Sequence, residues 1–289
     1  MSAALSTRPG PRPRLPSGMA LIHWLCGGWT ALIFIFLYLP ILLLIIYSFN
    51  KSDLNVIWTG FTFDWYASLW HNETLIDALK NSLIIAAITT VLSVLLGTSG
   101  AWLLHRYRFP WLKTVTTLIF VPMVIPEIIM GVSLLILFSV IIGPLNNWLA
   151  HFTDAEFGLG YATVIIAHTT FCFPFVLVAV QARLAGMDPF LEEAALDLGA
   201  PPLQAFLFVM VPYLLPAIIS GALMAFTLSM DEYIVTLFTN GPESQTLPLK
   251  VFGMAKKGLD PSLNAISTVF ILATSGLVVL AEMVRKINR

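Results

Sequence analysis

The chain has 289 residues, of which 58% are hydrophobic and 11% are charged, and its mean hydropathy is +0.87. This composition excludes an ordinary soluble domain and indicates an all-α polytopic membrane protein. A formal net charge of −1 gives no reason to expect nucleic acid as a partner. The two cysteines, Cys26 and Cys172, both fall inside apolar runs, so neither a disulfide framework nor a metal site is expected.

The N-terminal part of the chain divides into a tail, a span and a loop. Residues 1–20 are rich in proline, serine and arginine and are expected to form a disordered cytoplasmic tail. Residues 21–49 follow as the first transmembrane helix, because the run from Trp24 to Phe49 carries no charge. The apolar core of a cleaved signal is only about 7–15 residues long, so this span is expected to be retained. Residues 50–80 form an extracytoplasmic loop whose aromatic residues are typical of a membrane-interface belt.

Five more apolar runs are each long enough to cross about 30 Å of hydrocarbon, which makes six predicted transmembrane helices. They are Asn81–Leu104, Thr114–Ile142, Phe157–Ala182, Leu203–Met230 and Ser262–Ala281. If both termini are cytoplasmic, ten of the fifteen lysines and arginines lie on the cytoplasmic side. The positive-inside rule therefore predicts an N-in, C-in topology.

Proline interrupts several of these runs. Pro122 and Pro126 fall in the third run, and Pro212 and Pro216 fall in the fifth. A proline inside a membrane helix frees backbone carbonyls, which is tolerated where neighbouring helices or a water-lined cavity can satisfy them. Interruptions in two spans predict that a substrate path runs along the third and fifth of them.

A charged segment with turn residues at both ends lies between the fourth and fifth runs, and it predicts a short helix at about 188–199. Asp188 can cap its N-terminus, and Pro189 suits the first helical position. Glu192 and Glu193 follow within about a turn of the positive end of the helix, and Gly199 terminates it. The predicted topology places this helix in the cytoplasm, where it is either an ordinary connector or a docking element for a partner.

The same residues resemble the EAA motif of ABC-importer permeases, which reads E-A-A, three residues, G, nine residues and I-x-L-P. Here the matching positions are Glu193-Ala194-Ala195, Gly199 and Val209-Met210-Val211-Pro212, with valines replacing the family's Ile and Leu. In that family the helix docks into a groove on the ATPase subunit. The resemblance implies the type I (MetI-like) permease fold for residues 81–285. It assigns ATPase coupling to Glu192, Glu193, Ala194, Ala195, Asp197 and Gly199.

Three carboxylates stand out at or within the apolar runs. Glu127 follows Pro126 and is either a structural hydrogen-bonding group at the proline break or a cation-binding group. Asp231 and Glu232 end the fifth run and are either a solvated helix end or part of a substrate path. His168, in the fourth run, is either a hydrogen-bonded packing residue or a proton relay, with the packing role favoured. Lys256 and Lys257 are interpreted as a solvated extracytoplasmic face that can help to dock a binding protein.

Several further motifs resemble the permeases of spermidine/putrescine importers, and the resemblance covers nearly the whole chain after the first twenty residues. They are Tyr47-Ser48-Phe49-Asn50, His168-Thr169-Thr170-Phe171-Cys172, Ser229-Met230-Asp231-Glu232, Gly241-Pro242 and Leu247-Pro248-Leu249. The resemblance places Trp58, Glu127, Ser229, Asp231 and Glu232 on the substrate pathway. Tyr233 joins them because a polyamine needs aromatic faces as well as spaced carboxylates. An Asp-Glu pair where the family often has Asp-Asp, and Glu127 where many members have Asp, leave the preferred amine length open.

The chain lacks the G-x-x-x-x-G-K-[ST] phosphate loop and the H-E-x-x-H motif, so no catalytic residue and no cofactor are expected in it. The resemblance implies a bacterial inner-membrane transport subunit that imports polyamines. Its expected partners are a homologous second permease, an ATPase dimer that binds ATP and Mg²⁺, and an extracytoplasmic solute-binding protein. Two alternatives remain: an ABC importer for another solute (an opine, an amino acid derivative or ferric iron), and an ion-coupled secondary transporter.

Overall fold

The computed structural model describes residues 17–52, 57–151, 156–188, 190–257 and 261–287, and these ranges are mainly helical. The first half of the chain contains α1 (Ser17–Tyr47), α2 (Asp64–His71), α3 (Glu73–Arg106), α4 (Leu112–Val124) and α5 (Glu127–Leu149). The second half contains α6 (Tyr161–Leu184), α7 (Phe190–Asp197), α8 (Pro202–Ala205), a π-helical segment (Phe206–Met210), α9 (Val211–Asp231), α10 (Ile234–Thr239), α11 (Leu247–Lys257) and α12 (Pro261–Ile287).

Within the described ranges, five helical stretches are long and apolar enough to cross a membrane. They are α1, α3, α5, α6 and the continuous stretch from α8 through α9. The expectation of one helix over Thr114–Ile142 was wrong, because α4 and α5 share that run and α4 is a shorter apolar helix. The sixth predicted span, Ser262–Ala281, lies inside α12.

Other predicted boundaries move by several residues. α1 begins at Ser17, so residues 17–20 of the predicted tail are helical, and residues 1–16 lie outside the described ranges. The predicted loop at 50–80 contains α2, and α3 begins at Glu73 instead of Asn81. Polar residues in the first turns of α3 hid this extension from a pattern based on apolar runs.

The division between α4 and α5 has a local cause at Ile125-Pro126. A residue before proline is pushed out of the helical region, and Ile125 has an extended backbone with φ −69° and ψ 133°. Pro126 then provides the N-cap of α5, and its carbonyl accepts the N–H of Met130 at 3.1 Å. Glu127 is therefore the first residue of a new helix.

The core is formed by α3, α6 and α9, which pack closely because small residues occupy the crossing points. A Cβ added at Gly97 of α3 would lie 2.7 Å from Val176 Cβ, and one added at Gly221 of α9 would lie 3.1 Å from Val176 Cα. Val176 of α6 is fully buried between them. Membrane helices have no hydrophobic driving force for association in lipid, so close backbone approach over small residues lets van der Waals packing hold them together.

The bundle has two distinct ends. At one end, Asn81 of α3 donates to the carbonyls of Glu243 and Gln245, each at 3.0 Å, and accepts from the hydroxyl of Tyr161 at 2.5 Å. The start of α6 and the segment before α11 therefore meet there, at the end where α9 finishes. The other end holds the last residues of α3 and α6 together with α7 and α8. The stretch Pro202–Asp231 has 30 residues and connects the two ends over about 45 Å, at a rise of about 1.5 Å per residue.

α7 confirms the short helix predicted between the fourth and fifth runs. The Asp188 carboxylate accepts the N–H of Phe190 at 3.0 Å, as an N-cap would, whereas Pro189 lies outside the described residues. Gly199 has a φ of +86°, and its N–H binds the Leu196 carbonyl at 2.9 Å. The next N–H, that of Ala200, binds the Ala195 carbonyl at 3.1 Å, which completes a Schellman motif.

Candidate transport site and coupling surface

The three predicted carboxylates belong to neighbouring elements of the bundle. Gly131, one turn after Glu127 in α5, packs against α10, since a Cβ built on it would lie 2.7 Å from Phe238 Cδ2 and 3.5 Å from the Ile234 carbonyl oxygen. Asp231 ends α9, directly before α10. Glu232 follows Asp231 directly in the chain, and α10 begins two residues later. The fold therefore brings the three groups into one electrostatic neighbourhood, which we call the carboxylate cluster.

The three groups differ in exposure and in bonding. Glu232 is only 6% exposed, and its Oε1 accepts the N–H of Val235 at 2.8 Å, so it caps the start of α10. Glu127 and Asp231 are exposed, and within the described part of the chain neither carboxylate has a hydrogen bond or an ion pair. This arrangement gives no support to Glu127 as a structural hydrogen-bonding group at the proline break. Among the described residues, Glu127 and Asp231 are therefore the two members of the cluster without a polar partner.

A buried chain of hydrogen bonds fixes the turn that carries Asp231 and Glu232. His168 of α6 is fully buried, with Nδ1 2.8 Å from Ser229 Oγ and Nε2 2.8 Å from Thr236 Oγ1. The Thr236 hydroxyl donates to the Glu232 carbonyl at 2.9 Å, so it must accept from His168 Nε2–H. Nδ1 of the neutral ring then accepts from Ser229. The hydrogen-bonded packing role expected for His168 is confirmed, and Ser229 is part of this chain of bonds.

Asp231 and Tyr233 line a recess between the end of α9 and helices α11 and α12, with a volume of about 410 Å³. The Tyr233 ring lies 4.4 Å, centroid to centroid, from the ring of Phe252 in α11. Apolar side chains complete the walls, among them Val251, Phe270 and Ile271. A carboxylate beside two aromatic faces in an apolar wall suits an alkylammonium group.

Trp58 lies in the loop that follows α1. Its ring makes an edge contact with Tyr47 at the end of α1, with centroids 6.4 Å apart. The buried side chain of Asn50 organises this loop, because it donates to the Ile57 carbonyl at 2.9 Å and accepts the N–H of Thr59 at 3.0 Å. A place for Trp58 on the substrate pathway stays a prediction.

At the opposite end of the bundle, an ion pair that was not predicted from the sequence holds α7 against the end of α3. Arg106, the last residue of α3, pairs with the largely buried carboxylate of Glu192. The rings of Trp102 and Tyr107 flank the same guanidinium, each with its centroid 6.0 Å away. Glu193, Ala194 and Asp197 remain exposed.

Apolar side chains extend the exposed side of α7. Phe190 is 69% exposed and Leu198 is 89% exposed. We call α7 with Leu198 the coupling surface. Helices that can span a membrane, an exposed short helix at one end and free carboxylates at the other together define a polytopic transport component.

Comparisons with known proteins give the family. The family model for the binding-protein-dependent transport system inner membrane component matches residues 90–288, so this chain belongs to that family. The spermidine/putrescine transport system permease protein PotC of Escherichia coli K12 is 37% identical over 260 residues, covering 90% of this chain and 93% of that protein. The putrescine transport system permease protein PotI of the same organism is 41% identical over 246 residues, covering 85% of this chain and 84% of that protein.

Solved structures give the same fold at lower sequence identity. A bacterial alginate ABC transporter in complex with an alginate pentasaccharide-bound periplasmic protein matches with a TM-score of 0.73 and 17% identity, over 93% of this chain and 95% of that one. The MetNI methionine ABC transporter, in inward-facing conformations, matches with a TM-score of 0.60 and 17% identity, over 76% of this chain and 97% of that one. The MetI-like permease fold expected from the EAA spacing is confirmed.

Proposed function

We propose that this chain is a permease subunit of an ABC importer that conducts polyamines such as putrescine and spermidine across the bacterial inner membrane. The observation that carries the proposal is the pair of unpaired carboxylates, Glu127 and Asp231, beside the aromatic recess of Tyr233 and Phe252. Relatives named as spermidine/putrescine and putrescine permeases support the same substrate class.

The chemistry of the substrate explains this arrangement. A polyamine carries ammonium groups separated by methylene chains, so it needs separated negative charges and apolar or aromatic contact between them. Asp231 and Glu127 supply the charges, and the walls of the recess supply the apolar contact. Since Glu232 already caps α10, its part is to hold the turn and to add negative potential.

The transport cycle requires a connection between the coupling surface and the carboxylate cluster. α9 supplies it, because its N-terminal extension begins beside α7 and its last residue is Asp231. The π-helical segment directly before α9 is a site where the helix can bend. There the N–H of Val211, the residue before Pro212, donates to the carbonyl of Phe206, five residues earlier. In our proposal an ATPase subunit grips α7, and its closure moves α9 against α6. A second permease and a solute-binding protein complete the pathway.

The test is uptake of radiolabelled putrescine and spermidine by the complete complex in proteoliposomes, with ATP inside. Glu127→Gln and Asp231→Asn should each lower uptake about ten-fold or more, since a hydrogen bond to a charged group contributes about 1.5–3 kcal/mol. Asp77→Asn is the matched control, because Asp77 is exposed and paired with Lys80.

Two results would contradict the proposal. Normal amine uptake by both variants would show that these carboxylates do not take part in transport. Import of an opine, an amino acid derivative or ferric iron by the same complex would then identify the solute. Uptake by this chain alone, driven by an ion gradient without ATP, would make it a secondary transporter.

A further inference from the structure

Lys256 is placed where a substrate ammonium would be expected. It follows Phe252 by four residues in α11, so both side chains lie on one side of that helix. Its Nζ lies 4.8 Å from the centroid of the Phe252 ring. The same ring faces Tyr233 and lines the recess that contains Asp231.

The ammonium of Lys256 is bound by the ring and not by a carboxylate. Within the described residues it forms no ion pair, although Asp231 lies in the wall of the adjoining recess. A cation within about 6 Å of a ring centroid is held by the ring quadrupole. The aromatic wall therefore already carries one primary ammonium, the same group that ends every aliphatic polyamine.

We propose that Asp231, Tyr233 and Phe252 form an ammonium-binding site, and that Lys256 covers its aromatic wall until the ammonium of a substrate amine displaces it. The ligand class, a primary alkylammonium ion, rests on the proposed function. Lys256 thus lowers the affinity of the site by competing for the ring. A low affinity is useful in a permease, because a tightly bound amine would not move on.

The first experiment examines the resting contact and does not depend on which solute is transported. Reductive methylation with ¹³C-formaldehyde keeps lysines charged and gives each an NMR signal, and a methyl group over a ring face is shifted upfield. The Lys256 signal is assigned in the complete complex as the one that is missing from the Lys256→Arg variant. This signal should be shifted upfield, and Phe252→Leu should abolish the shift. A signal at the position of solvated lysines would overturn the proposal.

The second experiment measures displacement and affinity with putrescine as the probe. Putrescine should move the Lys256 signal towards the position of a solvated lysine, whereas 1,4-butanediol, its uncharged analogue, should not. Lys256→Gln should strengthen putrescine binding about two- to five-fold, as expected from the strength of an exposed cation–π contact. Lys250→Gln is the matched control, since Lys250 lies on the same helix but lines a separate recess with Gln245 and Met254.

Phe252→Leu should weaken putrescine binding, and in the double variant Lys256→Gln should no longer strengthen it. If Lys256→Gln and Lys250→Gln change the putrescine affinity equally, the effect is one of general charge, and competition between Lys256 and the substrate for the Phe252 ring is contradicted. If the Lys256 signal is shifted upfield but putrescine does not change it, the proposed displacement of Lys256 is wrong. This holds even if the complex imports polyamines. A complex that imports no polyamine, but in which putrescine displaces Lys256, would contradict the proposed function alone.

Discussion

The end of α7 offers a test in which backbone conformation can be separated from side-chain size. Gly199 has a φ of +86°, and nothing lies within 4 Å of a Cβ added to it. A substitution there meets no steric obstacle inside this chain, so its effect comes from the left-handed backbone alone. We therefore compare Gly199→Val and Gly199→Ala with Gly199→Asn, because asparagine adopts this conformation far more readily than the other two.

The expected magnitude follows from the backbone. Holding an ordinary residue in the left-handed region costs about 1–2 kcal/mol, which shifts the balance between the intact and the frayed helix end by about 5- to 30-fold. Fraying breaks the bonds from the Gly199 and Ala200 N–H groups to the carbonyls of Leu196 and Ala195. The coupling surface then loses the fixed position of Leu198, while the spans are unaffected.

The assay is the number of ATP molecules hydrolysed per putrescine imported by the reconstituted complex. We expect this ratio to rise for Gly199→Ala, to rise further for Gly199→Val, and to stay near the wild-type value for Gly199→Asn. If Gly199→Asn uncouples as strongly as Gly199→Val, side-chain size at the ATPase contact is the cause, and the left-handed backbone is not. Unchanged coupling in all three variants would refute a role of α7 in force transmission.

Two further predictions concern buried polar contacts. Glu192→Gln should lower the thermal stability of the complex and weaken coupling, because it leaves the Arg106 guanidinium without its carboxylate. The exchange Arg106→Glu with Glu192→Arg should recover part of this loss. Neutralising the exposed Asp77–Lys80 pair should change neither the stability nor the coupling. His168→Leu should destabilise the fold by about 1–3 kcal/mol, as measured by thermal unfolding, because it leaves the buried Ser229 hydroxyl without its partner. The same change at the exposed His151 should leave the midpoint unaltered. Equal midpoints for the two histidine variants would contradict the hydrogen-bond chain through Ser229 and Thr236.

Local rules were sufficient wherever a few adjacent residues decide the conformation. The capping carboxylate of Asp188 and the left-handed glycine at 199 mark the two ends of α7 in the sequence, and both are present in the structure. The proline at 126 indicated an interruption, but an apolar run does not reveal whether its helix bends or ends. Here the extended backbone of Ile125 ends α4, and the single predicted span becomes two helices.

The roles of individual polar groups required the tertiary structure. Glu192 and Glu193 are adjacent in the sequence, yet the first is paired with Arg106 and the second is exposed, because Arg106 arrives from the end of α3. Asp231 and Glu232 differ in the same way, since the turn into α10 directs only Glu232 towards the Val235 N–H.

The sequence was enough to identify a helical membrane protein with a short helix that has the EAA spacing, since hydropathy and helix ends depend on short stretches of chain. Only the packed helices settled which carboxylates of the described residues stay unpaired, and that Phe252, with Lys256 over its ring, lines the recess of Asp231. Such contacts join residues far apart in the sequence, and they depend on how α3, α6 and α9 pack around Val176.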